Sequence, residues 1–145
     1  MHQAFKDLDK LAGIKLPHDL HITGNEIFKN CINLTNIVFP DSLYELSSNS
    51  FNNTPKLKNV SIPASLTNIA NNSFQECGLE TVVLNENITN VSTYAFYNSA
   101  NLKTILIKSK VINFQNFAFG KCTNLKSFVY YGMKEEDYTN CKFNG

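Results

Sequence analysis

The chain has 145 residues, a net charge of +1, 43% hydrophobic residues and only 17% charged ones. That hydrophobic share supports one buried core and excludes a disordered tail. The near-neutral balance offers no basic surface for nucleic acid, and no apolar run approaches the roughly 18–20 residues of a membrane span.

All 13 basic residues other than histidine are lysine. The side chain best suited to bidentate capture of carboxylate or phosphate is therefore missing. Asparagine is abundant, with 21 residues, as an AT-rich coding sequence tends to produce.

At the N-terminus, the stretch from Met1 to Leu16 mixes Lys, Asp and apolar types and does not read as a secretory signal peptide. It runs straight into Ala4-Phe5, already the middle of a repeating unit. Either the array is part of a longer one, or residues 5–16 fold as an atypical cap. An open edge at this repeat would allow end-to-end self-association.

The repeat is the dominant signal. Phe5, Phe28, Phe51, Phe74, Phe96 and Phe119 are separated by 23, 23, 23, 22 and 23 residues. Three further columns keep the same register: Leu11, Leu34, Leu57, Leu79, Leu102, Leu125; then Ile14, Ile37, Val60, Val82, Ile105, Phe128; then Leu16, Phe39, Ile62, Leu84, Ile107, Tyr130. The single shortening falls at Cys77-Gly78-Leu79, which lacks one residue relative to Cys31-Ile32-Asn33-Leu34.

Within a unit the order is constant. A Leu-x-x-Ile-x-Ile segment ends in alternating β-branched or aromatic residues, which predicts a short strand. Pro17, Pro40 and Pro63 mark the turn that follows, since proline cannot continue a ladder. A second apolar pair comes next: Leu43/Leu46, Leu66/Ile69, Ile88/Val91 and Val111/Phe114. The segment around each Phe reads as one helical or 3₁₀ turn. A unit of this size cannot bury its own apolar face, but stacked units can. The expected fold is therefore a right-handed leucine-rich-repeat solenoid over residues 4–131, with a parallel β-sheet on one face and short strands, turns or 3₁₀/helical segments on the other. Residues 132–145 are expected to form a C-terminal tail or cap, in which the charged stretch 133–138 could cover the last rung.

The unit Phe28-x-x-Cys31-x-Asn33-Leu34-x-x-Ile37-x-Phe39-Pro40-x-Ser42-Leu43 resembles the BspA-like leucine-rich repeats, and Ile62-Pro63-Ala64-Ser65-Leu66-Thr67-Asn68-Ile69 matches the pattern again. Thr54 and Ser99 replace Cys, and Asn85 and Lys108 replace Pro. The resemblance implies a cell-surface or secreted recognition and adhesion module of mucosa-dwelling microbes, acting at the host interface. Periodicity by itself implies only an extended stacked surface, so a cytoplasmic protein-interaction scaffold stays open.

Catalytic patterns are absent. There is no phosphate-binding Gly-rich loop, His-Glu-x-x-His or Cys-x-x-Cys. His18, His21 and Asp19 lack the further ligands that a metal site needs, so they read as surface loop residues, as does His2. Glu135, Glu136 and Asp137 lie adjacent on the tail, where they suit solvation better than acid–base work across a cleft. No nucleophile with its base is visible, so no enzyme, metal or cofactor is expected.

Cys31, Cys77 and Cys122 are two units apart, about 10 Å at the strand spacing. A disulfide needs Cα atoms within about 7 Å, so buried thiols are expected, in one column with Thr54 and Ser99. Cys141 lies outside the repeats and could reach Cys122 only if the tail folds back. Six glycosylation sequons, at Asn33, Asn52, Asn59, Asn71, Asn87 and Asn90, are a weak sign of secretion in so Asn-rich a chain. Asn68, Asn90 and Asn113 share a column suited to a side-chain hydrogen-bond ladder.

The candidate binding face follows from strand alternation. The outward column is Lys15, Val38, Ser61, Val83, Leu106, Val129, and four of the six are apolar. Either this reflects β-propensity on an open sheet or it marks a protein or glycan partner laid across the rungs. Asn36, Asn59, Thr81, Thr104 and Ser127 flank it with polar groups, and Tyr131 would anchor one end.

Overall fold

A computed structural model describes residues 2–110, 112–131 and 142–143 of the chain. The chain winds as a solenoid in which five turns separate Phe5 from Phe119. Each coil is named here by its order, the first holding Phe5 and the sixth Phe119. Val111, the charged stretch 133–138 and Cys141 lie outside the described residues.

The strands are β1 (Gly13–Lys15), β2 (Asn36–Val38), β3 (Asn68–Ile69), β4 (Thr81–Leu84), β5 (Asn90–Val91), β6 (Thr104–Ile107), β7 (Asn113–Phe114), β8 (Ser127–Tyr130) and β9 (Lys142–Phe143). Every pairing is parallel. Register follows the repeat, with Ile14 opposite Ile37 and Val82 opposite Ile105, itself opposite Phe128. The segments ending in Ile69, Val91 and Phe114, the second members of three apolar pairs, build a second sheet, β3-β5-β7-β9, whereas the Leu43/Leu46 segment makes only an isolated bridge between Ile22 and Glu45. Residues 142–143 of the tail thereby join the stack beside β7.

The first sheet departs from expectation. It is split into β1-β2 and β4-β6-β8, and residues 59–62 of the third coil, expected as a strand, pair with neither side. Where coils pair, the bonds are regular: Lys103 N–H donates to Glu80 at 2.9 Å and Lys126 N–H to Lys103 at 3.0 Å. At the following position Lys108 donates to Leu84 at 2.9 Å and Tyr131 to Ile107 at 2.8 Å. Pro63 occupies that position in the third coil and has no N–H to give.

The expected helical or 3₁₀ turn around each Phe is also replaced. Among the described residues it is a non-helical turn with two left-handed residues four apart, Glu26 and Asn30 in the second coil, Asn49 and Asn53 in the third. The same pair recurs in all six coils. A left-handed residue breaks a right-handed helix after one turn and turns alternate amides along the solenoid axis. Those amides bond to the next coil: Glu26, Phe28 and Asn30 donate to Ser48, Ser50 and Asn52 at 3.1, 2.8 and 3.0 Å.

The Phe column forms a ladder of near-parallel rings. Phe28 to Phe51, Phe51 to Phe74 and Phe74 to Phe96 have centroids 5.2, 5.3 and 5.4 Å apart, the offset stacking that aromatic quadrupoles favour. These four rings are fully buried, as are Leu34, Leu57, Leu79 and Leu102; Phe5 and Phe119, at the ends, are half-buried. Cys31, Cys77 and Cys122 are buried free thiols in one column with Thr54 and Ser99. Cys31, Ser99 and Cys122 donate to the carbonyls of Phe5, Phe74 and Phe96, each one coil earlier, at 2.9, 2.8 and 3.0 Å. Burial pushes the Cys77 and Cys122 thiols up to about 11. The Asn column is a ladder: Asn90 Nδ2 donates to Asn68 Oδ1 at 2.5 Å and Asn113 Nδ2 to Asn90 Oδ1 at 3.2 Å.

Candidate binding face

The site is built by strand alternation on the first sheet. In β4 and β6 the Leu and Ile columns point inward, so Val82, Leu84, Ile105 and Ile107 are buried while the residues between them face out. Val38, Val83 and Val129 are 46%, 37% and 40% exposed, large values for valine on an ordered sheet. Ser61 is exposed in the same column and Lys15 ends it. Leu106, expected at the centre of the stripe, is only half-buried, because β6 has a paired strand on either side.

The polar flank is likewise uneven. Asn36, Asn59 and Thr81 are exposed, whereas Thr104 and Ser127 are half-buried and share a hydroxyl hydrogen bond of 3.1 Å. Tyr131 is 66% exposed, with the Lys108 ammonium 5.8 Å from its ring centroid. The candidate residues thus lie along one face, in two paired blocks with the unpaired third coil, which carries Asn59 and Ser61, opening a gap between them.

That separation is a cleft of about 730 Å³ lined by residues 36–39, 59–62, Asp41 and Val83, and its far rim carries Asn85 and Lys108. Sequence reading did not mark Asp41, Phe39 or Asn85 as part of the face. One signal for Asn85 was available, because it stands in the proline column. Its Nδ2 donates to the Pro63 carbonyl at 2.9 Å, holding the third coil against the fourth.

Charges elsewhere serve the scaffold. Glu26 bonds Lys6 and Lys29, both at 2.8 Å, and these two ammonium groups hold its carboxyl down to about 2, Lys29 contributing more. Glu80 joins Lys103 at 2.9 Å and Lys58 at 3.7 Å. His21 stacks on Tyr44 with centroids 5.8 Å apart. Among the described residues no group of three His, Cys, Asp or Glu side chains could hold a metal ion, and no helix is long and apolar enough to cross a membrane.

Comparison with known proteins agrees with this architecture. A leucine-rich repeat protein of T. pallidum is similar over 88% of the chain, with 27% identity and a TM-score of 0.82. A leucine rich cell surface protein of Faecalibacterium prausnitzii is similar over 87%, with 26% identity and a TM-score of 0.81. A leucine-rich repeat protein of Bacteroides ovatus shares the fold over 90%, with 21% identity and a TM-score of 0.71. The chain spans 60%, 33% and 40% of the lengths of these three proteins. No curated protein matches it. The fold is suited to protein interaction and is typically a non-enzymatic module. Six copies of the BspA type leucine rich repeat match residues 45–136, more than half of the sequence, and the chain belongs to that family.

Proposed function

We propose that the chain is a non-enzymatic recognition and adhesion module that binds a protein or glycan partner across the open face of the first sheet. The observation that carries this reading is the outward column: Val38, Val83 and Val129 hold apolar surface in water beside exposed Asn36, Asn59 and Thr81. A cell-surface setting draws support from the similarity to the cell surface protein of F. prausnitzii.

Two measurements test it. Glycan and protein arrays are read with the parent chain and with Leu106→Lys, a half-buried position where the lysine stem can lie along the strand and lift its charge into solvent. Binding should fall at least tenfold with the melting temperature nearly unchanged. Normal binding by Leu106→Lys, together with loss from a change on the turn face, overturns the reading. Antibody labelling of intact source cells tests the location.

A second reading, an intracellular interaction scaffold, is favoured by the three buried free thiols, which suit a reducing compartment. Cell labelling only after permeabilisation would select it. End-to-end self-association through the first coil, where Phe5 and Leu11 are half-buried and Leu8 is exposed, is part of the same proposal; it would appear as a concentration-dependent rise in mass by light scattering.

A further inference from the structure

The break in the first sheet leaves main-chain groups open where a solenoid normally closes them. Among the described residues, no backbone N–H or C=O of residues 59–62 has a hydrogen-bond partner. The preceding residue, Lys58, still accepts from Glu80 at 3.2 Å, and after the gap the Pro63 carbonyl is taken by Asn85 and by Leu66 N–H. The open run is therefore bounded on both sides by satisfied positions.

The register says which way these groups point. Along a parallel strand, both polar groups of one residue face the same neighbour, and the next residue faces the other way. The Val38 carbonyl accepts from Leu16 at 3.2 Å, so Val38 faces the first coil, and its neighbours Ile37 and Phe39 face the third. Asn59 and Ser61 lie 23 residues after Asn36 and Val38, and so face back across the cleft toward β2. The edge of β2 and the unpaired segment 59–62 thus look at one another across a cleft of about 730 Å³, with no ladder between them.

What complements such an edge is a chain with alternating N–H and C=O groups at the same spacing. Val38 and Val83 offer apolar contact above it. Asp41, at the end of the cleft where the strands finish, has no ion-pair partner among the described residues. We infer that the cleft takes an extended peptide segment of a partner, added as a strand against Asn59 and Ser61, with a basic side chain set beside Asp41. This rests on the binding-face reading and names its ligand class; main-chain bonding gives affinity, and the Asp41 carboxylate gives orientation.

The test uses the 15N-labelled full chain and a pool of end-blocked octapeptides with an alternating Val/Thr core and one terminal lysine. In the free protein the Asn59 and Ser61 amides should exchange quickly while the Ile105 amide is protected. Peptide should slow exchange at Asn59 and Ser61 at least tenfold. The same peptides N-methylated at alternate residues should lose binding, and Asp41→Asn should weaken it several-fold at low salt. Ser61→Pro removes one open N–H that has no internal bond to lose, so it should abolish binding with the melting temperature unchanged.

Equal binding by the N-methylated peptides, or no added protection at Asn59 and Ser61, overturns strand addition. A partner found on the arrays that is lost with Leu106→Lys but retained by Ser61→Pro leaves the binding face standing and removes only this inference. A glycan bound there without protection of the two amides does the same.

Discussion

A methyl group on Gly78 would lie 2.1 Å from the Pro55 carbonyl oxygen and 2.7 Å from its carbon. Both obstacles are backbone, so neither can rotate away. Gly78 marks the shortened unit, and its N–H donates to Thr54 at 3.1 Å. The fourth coil absorbs its missing residue by pressing main chain against main chain. Gly78→Ala should therefore cost about 1–3 kcal/mol or more, as overpacking does. Urea denaturation measures it; a cost below half a kilocalorie would mean that the two coils sit further apart than described.

Phe74 is the centre of the ring ladder, fully buried between Phe51 and Phe96. Phe74→Ala should cost about 3–5 kcal/mol, the usual range for a buried aromatic truncation. Because each coil contacts only its neighbours, the loss should also split one melting transition into two. Calorimetry reads both effects, and melting within a degree or two of the parent would contradict the ladder.

The thiols give a chemical check. Burial raises Cys77 and Cys122 to about 11, so at neutral pH almost none of either is thiolate. A thiol reagent should modify both slowly in the folded chain and rapidly in denaturant without reductant. Complete oxidation into two intramolecular bridges would refute the stacking.

Glu26 sets an acid limb. Its carboxyl falls from an ordinary 4.5 to about 2 on folding, so its stabilising contribution is full above about 4.5 and is lost as pH falls toward 2. Glu26→Gln should flatten the dependence of melting temperature on pH within that window and leave its shape near neutrality unchanged. An identical acid limb in both proteins would show that Lys6 and Lys29 do not hold the carboxylate in solution.

Much of this was legible from spacing. The inward columns through the fifth coil, the thiol column and the Asn68–Asn90–Asn113 ladder follow from register, since residues one period apart must meet in a stack; Phe128, expected inward, is exposed in the sixth coil. The turn conformation was not read correctly, because compact polar segments around Phe51 or Phe74 fit a helical turn as well. The available signal was the asparagines at 30, 49, 53, 72 and 98, a residue type enriched in left-handed conformations. The split sheet was hidden more deeply. Residues 59–62 keep the strand pattern, and what fails is pairing with neighbours; the residue types do not mark it, since Pro40 stands in the same column of the second coil, where β1 and β2 pair.

The left-handed turns have an electrical consequence. At each coil boundary three amides point toward the next coil, as Phe28, Phe51 and Phe74 do toward Ser50, Ser73 and Ala95. Peptide units so arranged have parallel dipoles of about 3.5 D each, and these add instead of cancelling as they do across a sheet. The turn edge is thus polarised crosswise to the chain, with carbonyls toward the first coil and, among the described residues, no acceptor for the amides of Phe117, Phe119 and Lys121 in the sixth. A chain of net charge +1 therefore carries a lasting axial field whose sign the side chains do not set.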